Sequence, residues 1–281
     1  MSDRRRRRLL LGVASLMLSV AAHAAADSVY LEELTSAEVA ARIARGATTV
    51  LLPVGGTEQN GAHMVLGKHN VRARMLAGRI AQRLGDALVA PVMAYAPEGA
   101  IDPPTQHMRW AGTITVPEPV FEATLESAAR SLRRHGFRQL VLLGDHGGYQ
   151  SALQRAAERV NRDAKSQPAF RVVALREYYR AATADYAAML RTQGHADAEI
   201  GQHAGLADTS LALAVDASLV RAEAMAVAPP AGSGVSGDPR RASAALGQRG
   251  LDHIVDASVA TIRGLPPLNR AQPTSNKKGS P

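Results

Sequence analysis

The chain has 281 residues, 46% hydrophobic and 21% charged, with a net charge of +8 and no cysteine. This composition suits a packed globular protein, and it excludes disulfide scaffolds, thiolate zinc, iron–sulfur clusters and a cysteine nucleophile. Any metal must be held by His, Asp or Glu.

Residues 1–24 combine Arg4–Arg8, an apolar run from Leu9 to about Ala21, and the A-x-A sequence Ala22-His23-Ala24. This is the pattern of a secretory signal peptide, with Sec and twin-arginine routes both open, and it predicts a periplasmic or secreted protein. Loss of Arg4–Arg8 and Asp3 halves the net charge. The remaining excess is scattered, with no basic stripe among aromatics, so nucleic acid is not an expected partner. No later stretch is apolar enough to span a membrane.

Thr35 and Glu38 form a capping box for a helix that runs to Gly46. Thr48–Val54 is an apolar, β-branched run of strand length ending at Gly55-Gly56. Val71, Met75, Leu76, Ile80 and Leu84 have helical spacing over 70–84, and Ala87–Val92 is a second short strand. Pro97–Thr105 reads as a loop, Pro119–His135 as a helix and Gln139–Leu143 as a strand. Gly144–Gly148 is a tight loop before a helix over Ser151–Asn161. Phe170–Leu175 is a strand, 183–193 and 208–220 are helices, and a last helix covers Ala242–Ile262. Short apolar strands alternating with amphipathic helices predict an α/β fold with a largely parallel sheet buried on both faces. One domain over 25–265 accounts for the chain, and the polar tail 266–281 is expected to be disordered.

Working residues in such folds sit at the carboxyl ends of strands. Two loops meet that test, Gly55–His63 and Gly144–Gly148, and both carry potential metal ligands. His135, His195 and His253 lie in or beside helices and read as surface residues. Arg72 and Arg74 read as a solvated helix face.

LLPVGGTEQNGAHM resembles the first motif of the creatininase family, whose pattern runs roughly P-x-G-S-x-E-Q-H-G-x-H-L-P-x-x-x-D. GTITVP at 112–117, RSLRRHGFRQLVLLGDHGG at 130–148, HAGLADTS at 203–210 and GVSGDPRRA at 234–242 resemble further family segments in the same order. The resemblance implies a three-layer α/β/α sandwich, a divalent metal centre of zinc or manganese type, often hexameric assembly, and hydrolysis of cyclic or linear amides. By position it makes Glu58 and His146 metal ligands and His203 a proton shuttle or substrate holder.

The departures shape the expected site. Asn60 stands where the family has its second-site histidine, and His69 where it has the carboxylate that bridges two metals. A neutral imidazole has one free lone pair and cannot bridge. One ion per chain is therefore expected, held by Glu58, His69 and His146, with Asp208 as fourth ligand or as base; iron is compatible with the same set. Asn60 is expected to steady an oxyanion. His63, His107, Trp110 and Lys68 are expected against a small-molecule substrate, and Asp145 behind the ligands, orienting them. Lys68 can equally pair with a neighbouring acid. The expected function is a metal-dependent hydrolase of a small amide or lactam through an activated water. The alternative is a non-catalytic periplasmic metal- or ligand-binding protein on the same fold.

Overall fold

A computed structural model describes residues 28–163 and 170–268 of the chain. The expected leader, and the tail beyond residue 268, lie outside the described residues. Four parallel strands form the sheet: β1 (Thr49–Val54), β2 (Ala87–Val89), β3 (Gln139–Gly144) and β4 (Arg171–Ala174), in the order β2-β1-β3-β4. Thr49 pairs with Ala87 on one side and with Gln139 on the other, and Gln139 with Arg171. The strand order reverses direction at β1, so the loops leaving β1 and β3 diverge and open a crevice at their carboxyl ends.

Both faces of the sheet are apolar because successive residues point to opposite sides. Leu51, Val89, Val141 and Leu143 pack against α2 (Lys68–Leu84), α8 (Leu206–Val215) and α10 (Ala244–Arg263). Val50, Leu52, Val54, Leu140 and Leu142 pack against α3 (Glu118–Arg134) and α4 (Gln150–Asp163). This is the expected α/β/α sandwich. The capping box also forms: Thr35 Oγ1 accepts from Glu38 N, and the Glu38 carboxylate from Thr35 N, opening α1 (Ser36–Ala44).

Three elements differ from expectation. The second strand stops at Val89, because Ala90 N donates to Leu51 O and the next residue, Pro91, has no N–H to continue the ladder. Helix begins ahead of residue 183, as α5 (Arg176–Arg180), then a π-helical turn over Ala181–Asp185, then α6 (Tyr186–Thr192). The helix expected over 208–220 ends at Val215, where Asp216 turns extended and its carboxylate accepts from Ser218 N. The remaining short helices are α7 (Asp197–Ile200) and α9 (Ala222–Met225). Among the described residues no helix is long and apolar enough to cross a membrane.

Candidate metal centre

The loops that follow β1, β2 and β3 supply Glu58, then Glu98 and His107, then His146. One ligand atom from each of these four lies within 4.8 Å of the others. Glu58 Oε2 is 3.2 Å from His107 Nε2 and 3.4 Å from His146 Nε2, while Glu98 Oε2 is 3.7 Å from His146 Nδ1. Glu58 and Glu98 are fully buried, yet Glu58 Oε2 and both Glu98 carboxyl oxygens have no hydrogen-bond partner among the described residues. Native interiors rarely strand carboxyl oxygens in this way. Two carboxylates and two imidazoles are a donor set for a divalent cation, which would satisfy the stranded oxygens.

The charge states agree. Burial, only partly offset by Glu58, pushes His146 down to about 3, and burial lowers His107 too, so both rings are neutral and can ligate. Burial would raise Glu58, but His69, His146 and Lys68 override it and hold its carboxyl well below the usual range. Burial, then the charge on Glu58, pushes Glu98 up to about 9, so without a cation one proton stays on this pair.

Glycine makes room for Glu98. A Cβ built on Gly56 would stand 2.4 Å from Glu98 Oε1. Gly56→Ala is therefore expected to leave the fold intact, since only a side-chain tip must move, while displacing Glu98. Metal affinity should drop about 10–100-fold, the range seen when groups around a metal are disturbed. Equilibrium dialysis against zinc with a thermal melt checks both halves.

Beside the cluster lies a buried ion network. His69 Nδ1 donates to Asp145 Oδ2 at 2.6 Å, and Nε2 donates to Glu58 Oε1 at 2.8 Å. Burial and Lys68 oppose the charge on His69, but Glu58 and Asp145 outweigh them and its pKa is raised. Both ring nitrogens of His69 thus face carboxylate oxygens, and His69 stands beside the four clustered ligand residues rather than among them, in place of the ligand position expected for it. Asp208 is corrected likewise. Its Oδ1 accepts from Arg72 Nη1 at 2.8 Å, and its Oδ2 accepts from Ala204 N and contacts Lys68 Nζ. Against the effect of burial, Lys68 and Arg72 hold the Asp208 carboxyl well below its usual range, which makes it a weak base, and it lies outside the four clustered ligand residues. Arg72 is 4% exposed rather than solvated, with Nε 2.8 Å from Asp145 Oδ2. Asp145, expected behind the metal ligands, instead holds His69 and Arg72 and also accepts from Tyr178 Oη at 2.7 Å.

The other expected residues separate into two groups. Lys68, His107 and His203 line a cavity of about 1030 Å³ with His146, Tyr179 and Ala182. Asn60, His63 and Trp110 do not. Asn60 Nδ2 donates to the carbonyls of Glu58 and Val65, which shapes the loop and leaves no donor for an oxyanion. His63 is buried with Nε2 3.0 Å from Thr209 Oγ1, pinning the same loop to α8. Trp110 ends a half-buried 3-10 turn, Gln106–Arg109, whose service to the site is His107. Glu98 was not expected. Its one sequence signal is its place in the loop after β2, on the rim that carries the other two loops.

The creatininase family model, described as creatinine amidohydrolase, matches residues 32–262. The creatinine amidohydrolase of Pseudomonas putida is 30% identical over 206 residues, covering 73% of this chain and 78% of that protein. The mycofactocin precursor peptide peptidase of Mycobacterium ulcerans is 26% identical over 240 residues, covering 76% and 84%. Among solved structures, a manganese form of creatininase superposes with a TM-score of 0.71 at 28% identity, covering 84% of this chain and 98% of that one.

Proposed function

The chain belongs to the creatininase family of hydrolases, and on that premise we propose that it is a metal-dependent amidohydrolase that cleaves a small amide, lactam or related cyclic C–N bond. The observation that carries the reading is the set of stranded carboxyl oxygens on Glu58 and Glu98 facing two neutral imidazoles beside an open cavity. A zinc or manganese ion held by Glu58, Glu98, His107 and His146, one per chain, would make water nucleophilic at neutral pH.

The chain's own residues do the rest. His203 Nε2 donates to the Gln59 carbonyl at 2.9 Å, so in the neutral ring Nδ1 carries the lone pair. Burial and then Lys68 push His203 down to about 4, which keeps that lone pair free. Its Nδ1, 3.7 Å from Glu58 Oε1, takes the proton of the attacking water and returns it to the leaving nitrogen. Gln59 Nε2 donates to Gly234 O at 3.1 Å, which ties the loop carrying His203's acceptor to the 234–236 segment. The leader-like pattern of residues 1–24 supports a periplasmic or extracellular site of action. A second reading, cleavage near the end of a peptide, is favoured by the cavity's 1030 Å³ and by Ala182, Ala187, Ala207 and Leu211 along its wall.

Chelation tests the proposal. Dialysis against a chelator is expected to abolish hydrolysis across a panel of creatinine, hydantoin, dihydrouracil and alanine p-nitroanilide. Zinc or manganese at one ion per chain, counted by mass spectrometry, should restore it. Inactivity towards the whole panel in every metal form sinks the amidohydrolase reading and leaves the metal-binding one.

A further inference from the structure

Lys68 opens α2, and its side chain is 1% exposed although it lines the cavity beside His69, His203 and Asp208. A buried ammonium persists only where anions hold it. Asp208 Oδ2 does so by direct contact, and Glu58 Oε1 lies 3.8 Å away.

The neighbouring cations are spent differently. His69 uses both ring N–H groups, on Asp145 and Glu58. Arg72 uses its guanidinium on Asp145 and Asp208. Lys68 makes one hydrogen bond among the described residues, to Asp208, and an ammonium has three donors. The two donors left over belong to a residue that lines the cavity.

Glu58, Asp145 and Asp208 are each met on this side of the centre by the side chains of Lys68, His69 or Arg72. Glu58 divides its two oxygens between the sides. Oε2 faces His107 and His146 in the metal cluster, and Oε1 faces His69 and Lys68.

We propose that the Lys68 ammonium is the second cation of this centre: a catalytic residue that receives the carbonyl oxygen of the scissile amide, so that one metal ion suffices. The inference rests on the amidohydrolase reading above. Water adds through its oxygen to the carbonyl carbon and its proton passes to His203 Nδ1. The C=O π pair moves onto the carbonyl oxygen, where Lys68 donates a hydrogen bond. The pair then returns, the C–N bond breaks, and the nitrogen leaves with the proton from His203. One water is consumed, and a carboxylic acid and an amine are formed without any redox change.

The test compares wild type, Lys68→Met and Lys68→Ala, each loaded with zinc, on the fastest substrate of the panel above. Metal content by mass spectrometry and a thermal melt come first. Both variants are expected to melt as folded proteins and keep one ion per chain, because Asp208 retains Arg72 and Ala204 N as partners. In both, kcat should fall about 10²–10³-fold, as when one oxyanion donor is removed, with KM changed less than about threefold. Methylamine and ethylamine should restore part of kcat to Lys68→Ala saturably, but not to Lys68→Met, whose side chain fills the space. Loss of the metal in either variant would make Lys68 a prop for the cluster and overturn the proposal. Unchanged kcat, or a loss confined to KM, overturns it too. A wild type inactive on every substrate removes the amidohydrolase reading and this inference together, which separates that failure from one confined to Lys68.

Discussion

Glu58→Gln is expected to empty the metal cluster. Glu58 is the one residue whose two oxygens serve both halves of the centre, and its Oε2 is buried with no hydrogen-bond partner. The amide keeps the shape but loses the charge, and its nitrogen would face either the cation or the N–H of His69. Metal affinity should fall by more than the about 10–100-fold typical of residues outside the ligand shell, and hydrolysis with it. Competition with a chromogenic chelator reads the affinity directly; wild-type affinity in this variant would mean that the cation sits elsewhere.

The same titration has a pH signature. Burial and the Glu58 charge push Glu98 up to about 9, so a cation entering the cluster must displace a proton there. Below that pH, each unit of rise should raise wild-type affinity about tenfold, because one proton is released per ion bound. His146, pushed down to about 3, and His107, also lowered, are already neutral and add no proton release above about pH 6. Glu98→Gln should flatten the slope. A slope that survives this substitution would place the released proton on another group.

Asp145→Ala should be the most damaging change to stability. This carboxylate is buried and holds three groups at once: His69 Nδ1 at 2.6 Å, Arg72 Nε at 2.8 Å and Tyr178 Oη at 2.7 Å. Removing it leaves the Arg72 guanidinium 3.1 Å from the His69 ring in the interior with no anion between them. Breaking a buried pair from one side costs about 3–5 kcal/mol, and Asp145 serves more than one pair. Urea denaturation of the metal-free protein measures the loss without any contribution from the cation. A loss below about 1 kcal/mol, the range of an exposed pair, would contradict the network described above.

Glu58 and His146 are legible in the sequence because each lies in a glycine-bearing loop directly after an apolar strand. The sandwich is legible for the same reason, since runs such as QLVLL carry apolar groups to both faces. Glu98 is not, because its loop has Pro and Gly without any spacing that marks a ligand. Burial with its oxygens stranded sets it apart, and burial is a property of the fold. Arg72 is a different case. It lies three residues after His69 and four before Leu76, on the buried stripe of α2, so helical periodicity alone could have placed it inside. The assignment of Asp208 fails for a third reason. Its partners Lys68 and Arg72 are remote in sequence, and nothing local shows that its two oxygens are already taken.

The cluster's ligands come from loops after three successive strands of one parallel sheet, and each strand is joined to the next by a crossover helix. Parallel pairing of this kind forms only when distant parts of the chain have met. The unfolded chain thus has no binding site, and a cation at one hundred times its dissociation constant adds about 2.7 kcal/mol to the folded state alone. Metal capture then acts as a latch on a finished fold. It closes only after the two crossovers are in place, and once closed it slows the reopening of the whole central sheet rather than of one loop.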